Sequence, residues 1–183
     1  MNLIYATQRT KVRLFTHNDT ADAYEFMSDP LVAKYEYWSP YSYLETEREI
    51  IKLSQNSPDA IGKWNEFAVE LNSSDKVIGC VCINIEDNIS WQAEIGFHFN
   101  QQYWGRGLAF ETAEKLLQHG VKLGVHRFYA TVDIRNKKSI ALMERLKMRK
   151  EGELKENCFV KGKWCDEYLY AILASEISGN FEH

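Results

Sequence analysis

A chain of 183 residues, 45% hydrophobic and 26% charged, is long enough to bury roughly 70% of its unfolded surface as one domain spanning residues 1–183, with a core of about 10–175. Its 22 basic and 26 acidic side chains are interspersed and give a net charge of −4, which argues against a dedicated nucleic-acid surface. No apolar stretch approaches the ~18 residues of a membrane span and the N-terminus carries no apolar leader core, so the expectation is a cytoplasmic protein without a membrane partner.

The first third reads as helical pieces after one strand. Lys11 to Phe15 is a strand with Val12 and Leu14 on one face. Asn18-Asp19 offers an N-cap for a helix through about Met27, which Ser28-Asp29-Pro30 stops. Leu31 to Tyr43 is aromatic and interrupted by Pro40, and Leu44 to Gln55 returns to helical spacing. A polar break at Asn56-Ser57-Pro58-Asp59 follows.

The period then changes to two. Trp64 to Leu71 alternates as a half-buried strand, Lys76 to Ile85 follows with Gly79 at a bulge or close approach, and Ser90 to Asn100 is a third strand. The turns at Asn72-Ser73-Ser74-Asp75 and Asp87-Asn88 make the three an antiparallel meander. An amphipathic helix from about Arg106 to Leu123 ends at Gly124. A strand from Arg127 to Val132, a helix from Asn136 to Leu146 and two strands, Arg149 to Val160 and Trp164 to Leu173, complete the order, with a frayed tail from Ser175. The expected fold is mixed α/β, a mostly antiparallel sheet of about seven strands flanked by helices. Of four cysteines, Cys158 and Cys165 flank a hairpin turn at Lys161-Gly162-Lys163 and could be bridged, but the expected compartment keeps thiols reduced.

Between the third strand of the meander and the long helix lies Gln102-Tyr103-Trp104-Gly105-Arg106-Gly107-Leu108-Ala109. Two glycines one residue apart permit a tight turn, and the helix it opens offers free N–H groups and a positive dipole end to an anion such as phosphate. A P-loop would need Lys-Ser/Thr after the last glycine, where Leu108-Ala109 stands. A dinucleotide fingerprint would need a small residue at Phe110 and a parallel βαβ setting.

The pattern Gln102-x-x-Gly105-x-Gly107 resembles the acetyl-CoA loop of the GCN5-related N-acetyltransferases (GNAT family). Further segments resemble the ribosomal-protein N-terminal acetyltransferase branch of that family: Ser28 to Tyr35 with Trp38-Ser39-Pro40, Ala93 to Phe97, Asn136 to Ile140 with Glu144-Arg145-Leu146, and Asp166 to Ala171. One departure is Lys147-Met148 in place of the usual Gly-Phe, so no glycine supports a left-handed cap there. The resemblance implies acetyl-CoA as cosubstrate and direct attack of an amine on its thioester.

By that resemblance, Phe97, His98 and Phe99 splay from the neighbouring strand and pair with pantetheine through their backbone. Gln102, Trp104, Gly105, Arg106, Gly107, Leu108 and Ala109 serve the pyrophosphate, and Asn136 serves the pantetheine. Glu94 becomes the general base and Ser139 the acid that protonates the departing sulfur, with Tyr168 or Tyr170 as alternative acids. Asn136 and Ser139 stand three apart at a helix start, which N-capping alone also explains. Tyr35, Tyr37, Trp38 and Tyr41 wall the acceptor cleft, where Glu36 attracts a cation; an aromatic stripe equally suits a core or a dimer contact.

The implied acceptor is a protein N-terminal amine, with a small amine (polyamine or amino sugar) as the alternative. A non-catalytic acyl-CoA-binding role is the rival from another class. An α-amine is roughly 15% neutral at pH 7 and a lysine-like amine only about 0.04%, so the second needs a base far more. A homodimer is a family-level expectation. The five histidines show no ligand spacing with cysteines or carboxylates, so no metal is expected.

Overall fold

The structure is a computed structural model and describes residues 3–58, 60–86 and 89–180; the expected turn at Asp87-Asn88 lies outside them. In chain order the elements are β1 Leu3–Ala6, β2 Thr10–Arg13, α1 Thr20–Met27, α2 Tyr43–Ser54, β3 Trp64–Leu71, β4 Val77–Ile85, β5 Gln92–Phe99, α3 Leu108–Lys122, β6 Arg127–Asp133, α4 Lys137–Arg145, β7 Arg149–Val160, β8 Lys163–Leu173 and α5 Ala174–Asn180. The strands form one open sheet in the order β1-β2-β3-β4-β5-β6-β8-β7. Every neighbouring pair is antiparallel except β5 and β6.

Alternation along the strands divides the sheet into two apolar faces. Phe67, Val69, Val81, Ile83 and Ile95 pack with Leu116, Leu117 and Phe128 on the α3 side. Ala68 and Cys80 meet Phe26, Met27, Ile50 and Leu53 beneath α1 and α2. The meander has the expected pairing. Gly79 is both things its position suggested: the β3–β4 register shifts beside it, and a Cβ there would lie 2.6 Å from the His98 carbonyl oxygen.

Three expectations are corrected. The sheet has eight strands because Leu3–Ala6 adds an edge strand, too short to show a period. Tertiary contact holds it: the Tyr5 hydroxyl donates to Thr112 O at 3.0 Å. Residues after Ser175 do not fray at once, since α5 packs on α3 and buries Ile177. β3 is covered on both faces, because α1 and α2 close over the side that the alternation left polar. Glu70 on that side is 3% exposed.

Lys147 takes the place of the missing glycine yet has φ 62°, and the Met148 N–H donates to Met143 O at 3.0 Å. The helix C-cap forms without its glycine, at the steric cost that a Cβ carries in the left-handed region. At the β7–β8 tip, Lys161 and Gly162 both have positive φ, as a two-residue hairpin turn requires. Cys158 and Cys165 lie opposite each other there as free thiols.

Candidate active site

The sheet opens where the site lies. β5 pairs with β6 only through Gln92, Ala93 and Glu94, while β6 runs on to Asp133 against β8. Beyond Glu94, β5 is held from one side, by β4, as far as Phe99. The two strands part, and the edge of Ile95–Phe99 that turns away from β4 faces the gap. Such an edge can pair with an extended, amide-containing ligand as another strand would.

At the end of this gap the chain turns into α3. Gly105 has φ 74° and Gly107, the N-cap of α3, has φ 77°. Asn100 accepts from Gln102 N at 3.0 Å, and Trp104 Nε1 donates to Phe99 O at 2.8 Å, which pins the turn to the strand. The first N–H groups of α3 thus point out of the sheet with no side-chain cap on them.

A cavity of about 850 Å³ runs along this turn and the splayed strand. Phe97, His98, Phe99, Trp104, Gly105, Gly107, Leu108, Ala109 and Asn136 line it. Gln102 and Arg106 do not. The Gln102 N–H is taken by Asn100, and the Arg106 guanidinium lies over the Tyr103 ring at 5.2 Å. Sequence reasoning missed the cations of the groove: Lys34, Arg135, Lys137, Lys138 and Arg145. Lys138 Nζ lies 3.9 Å from the Trp104 ring centre and Arg145 4.1 Å from that of Phe110, so both flank the glycine turn. The signal was present, since 138 and 145 are two helical turns apart on α4.

A second cavity, about 350 Å³, lies on the α1–α2 side of the gap. Tyr35, Tyr37, Trp38 and Tyr41 all line it, and Trp38 packs on Tyr41 and edge-on to His98, with ring centres 5.3 and 5.9 Å apart. Six carboxylates also line it, Glu36, Glu49, Glu66, Glu94, Asp133 and Glu167, with no lysine or arginine. Asp133 is tied to Arg135 and Glu49 to Lys52, whereas Glu36, Glu66 and Glu94 have no cation at ion-pair distance among the described residues. Burial raises the Glu36 carboxyl to about 7, partly offset by Lys161 and reinforced by Glu66. Burial likewise raises Glu94, against a hydrogen bond from Thr131 Oγ1 at 3.3 Å. His98, buried among aromatic rings, is pushed down to about 4 and is neutral at pH 7.

The two cavities meet. Tyr35, Glu36, Phe97, His98, Asn136 and Ser139 line both, and Glu94 lines the smaller. Asn136 is an N-cap as well, since its Oδ1 accepts from Ser139 N at 3.3 Å. The alternative acids are elsewhere: Tyr168 lines neither cavity, and the buried Tyr170 hydroxyl reaches Glu144 at 3.5 Å.

A strand pair that parts beside a glycine turn at a helix N-terminus is the geometry the sequence resemblance called for, and the sequence matches the profile described as an acetyltransferase (GNAT) domain over residues 9–149. The chain belongs to the GNAT family. It is 32% identical over 180 residues to an uncharacterised N-acetyltransferase of Bacillus licheniformis, covering 98% of this chain and 100% of that one. An uncharacterised N-acetyltransferase of Bacillus subtilis is 35% identical over 172 residues, 93% and 96% of the two chains. The fold superposes on a GNAT-family acetyltransferase from Bacillus anthracis with TM-score 0.84 at 29% identity, over 96% and 99%. This GNAT chain is accordingly an acetyl-CoA-dependent N-acetyltransferase. Among its described residues no helix is long and apolar enough to cross a membrane.

Proposed function

We propose that this GNAT enzyme acetylates a small, multiply charged amine of the polyamine kind. The observation that carries the reading is the smaller cavity, which six carboxylates and six phenylalanine, tyrosine or tryptophan side chains line and no lysine or arginine does. A cation entering it finds opposite charge and π faces together. A single N-terminal ammonium would meet one of Glu36, Glu66 and Glu94 and leave the other two without a cation. Among more distant relatives are the spermidine N(1)-acetyltransferase of Escherichia coli, 23% identical over 155 residues, and its ribosomal protein uS5-alanine N-acetyltransferase, 32% identical over only 79. The second relative supports the N-terminal amine as the other reading.

In the proposed reaction the groove cations and the N–H groups at Gly107–Ala109 hold the phosphates, and the free edge of Ile95–Phe99 aligns the pantetheine amides. That brings the thioester to the junction lined by Asn136 and Ser139. Glu94 takes the proton that makes the amine a nucleophile; nitrogen bonds to the acetyl carbon and, as the carbon–sulfur bond breaks, loses its second proton, which Ser139 relays to the sulfur. Backbone N–H groups on β5 offer stabilisation of the developing oxyanion, about 3 kcal/mol per donor in other enzymes. Glu36, Tyr35 and Trp38 hold the incoming cation.

Release of CoA thiol measured across spermidine, spermine, an amino sugar and an alanine-terminated peptide tests the acceptor. The polyamines are expected to exceed the peptide at least about 100-fold in kcat/KM, an advantage that shrinks with added salt. A peptide turned over as fast as spermidine would overturn the reading. For the base, Glu94→Gln is expected to lower the rate about 100-fold or more at pH 7 and least above the amine pKa. The sign follows from the role: the carboxylate form accepts the proton, so wild-type activity rises with pH through a Glu94 pKa raised by burial. A loss independent of pH would retire Glu94 as the base.

A further inference from the structure

Three side chains of metal-ligand type, far apart in the chain, meet on one face of the sheet. Glu66 stands on β3, Cys80 on β4 and His98 on β5, with Cys80 directly opposite His98 in the β4–β5 register. Their thiol sulfur, carboxylate oxygen and imidazole nitrogen all lie within 4.8 Å of one another. Cys80 Sγ is 3.7 Å from Glu66 Oε2. His98 Nε2 is buried with no hydrogen-bond partner, its ring held between Phe26 and Trp38 at 5.8 and 5.9 Å. Buried nitrogens are rarely left without a partner. Spacing along the sequence, 14 and 18 residues, hides the trio, because only the strand register assembles it.

We propose that Glu66, Cys80 and His98 bind a thiophilic divalent cation of the zinc class. A thiolate, an imidazole and a carboxylate are three of the donor types zinc takes, whereas calcium and magnesium prefer oxygen alone. A dication with one thiolate and one carboxylate has no net charge, which suits a buried position. Donors around tetrahedral zinc lie about 3.2–3.7 Å apart, so the trio closes onto an ion by side-chain shifts of about 1 Å or less. Glu66 has the rotatable bonds for that. Binding releases the Cys80 and carboxyl protons to solvent and involves no redox change. Glu66 and His98 also line the smaller cavity, so the fourth coordination position opens into it. On the reading of that cavity as the amine site, the ion blocks its floor.

The test titrates the whole chain, without acetyl-CoA or amine, with cobalt(II) chloride and then displaces the cobalt with zinc chloride. The expected result is a thiolate-to-cobalt charge-transfer band and the intense visible bands of four-coordinate cobalt, lost on adding one equivalent of zinc. Cys80→Ser is expected to abolish the charge-transfer band, while Cys82→Ser and the double variant Cys158→Ser/Cys165→Ser keep it. His98→Phe is expected to weaken binding at least about 10-fold. Circular dichroism on each variant shows that the fold persists. No charge-transfer band in the wild-type chain, or a band that survives Cys80→Ser, overturns the site. Zinc inhibition is expected to compete with the amine and not with acetyl-CoA. Zinc that binds at Cys80 without competing with the amine would overturn the assignment of the cavity while leaving the metal site standing.

Discussion

Gly107→Trp is expected to abolish acetyl-CoA binding while the chain still folds. Gly107 has φ 77°, and a side chain there pays the left-handed penalty of about 1–2 kcal/mol. That is a fraction of the 5–15 kcal/mol that holds an ordinary domain, so the variant folds with a lowered melting temperature. The space around the site is not the obstacle: a Cβ would meet only the ends of two flexible side chains, Arg9 Nη2 at 3.5 Å and Arg145 Nη1 at 3.8 Å. The effect falls on the ligand. An indole at the N-cap occupies the position toward which the first N–H groups of α3 point, and it separates the phosphates from Arg145. Affinity measured by calorimetry should fall at least about 100-fold, the scale of losing two or three charge-assisted hydrogen bonds. Gly107→Ala carries the same backbone penalty without the bulk and should retain most of the affinity. Unchanged binding in the Trp variant would remove the turn from the cofactor site.

Arg13→Ala is expected to cost about 3–5 kcal/mol of stability, read from urea unfolding. Arg13 is 5% exposed and joins three segments of chain. Its guanidinium forks onto Asp19 through Nη1 and Nη2 at 2.7 and 2.9 Å, and its Nε donates to Glu70 at 2.7 Å. Removing the arginine leaves the buried Asp19 without a cation and Glu70 with only the half-exposed Lys11, at 3.1 Å. The cost comes from stranded charge more than from a lost contact. Replacing Asp19 and Glu70 by leucine in the Arg13→Met background should therefore recover most of the stability. Full stability in Arg13→Ala would show that the carboxylates are solvated or protonated in the folded chain. The cluster also bears on the site. It anchors the segment before α1, and α1 with α2 covers the smaller cavity.

The elements themselves were legible in the sequence because their signals are local. β3 occupies the span its alternation marked, and α3 carries the apolar stripe that its spacing set out, ending before Gly124. The glycine turn was legible too, since two glycines beside a helix start admit few geometries. The smaller cavity was legible only in outline. Tyr35, Glu36 and Trp38 line that cavity, and so does Glu66, which falls on the side of β3 that the alternation leaves polar. Nothing in a local pattern tells that α1 and α2 will cover that face.

What the sequence by itself determined is the order and kind of the elements, the glycine turn at the start of α3 and the family likeness, each carried by residues within a few positions of one another. Only the tertiary structure decided three things. It held β1 as an eighth strand through Tyr5, it parted β5 from β6 after Glu94, and it gathered Glu66, Cys80 and His98 on adjacent strands. The physical reason is common to all three. Strand register and the covering of a face are set by contacts between segments distant in the chain, and a side chain's burial, charge and partners follow from those contacts.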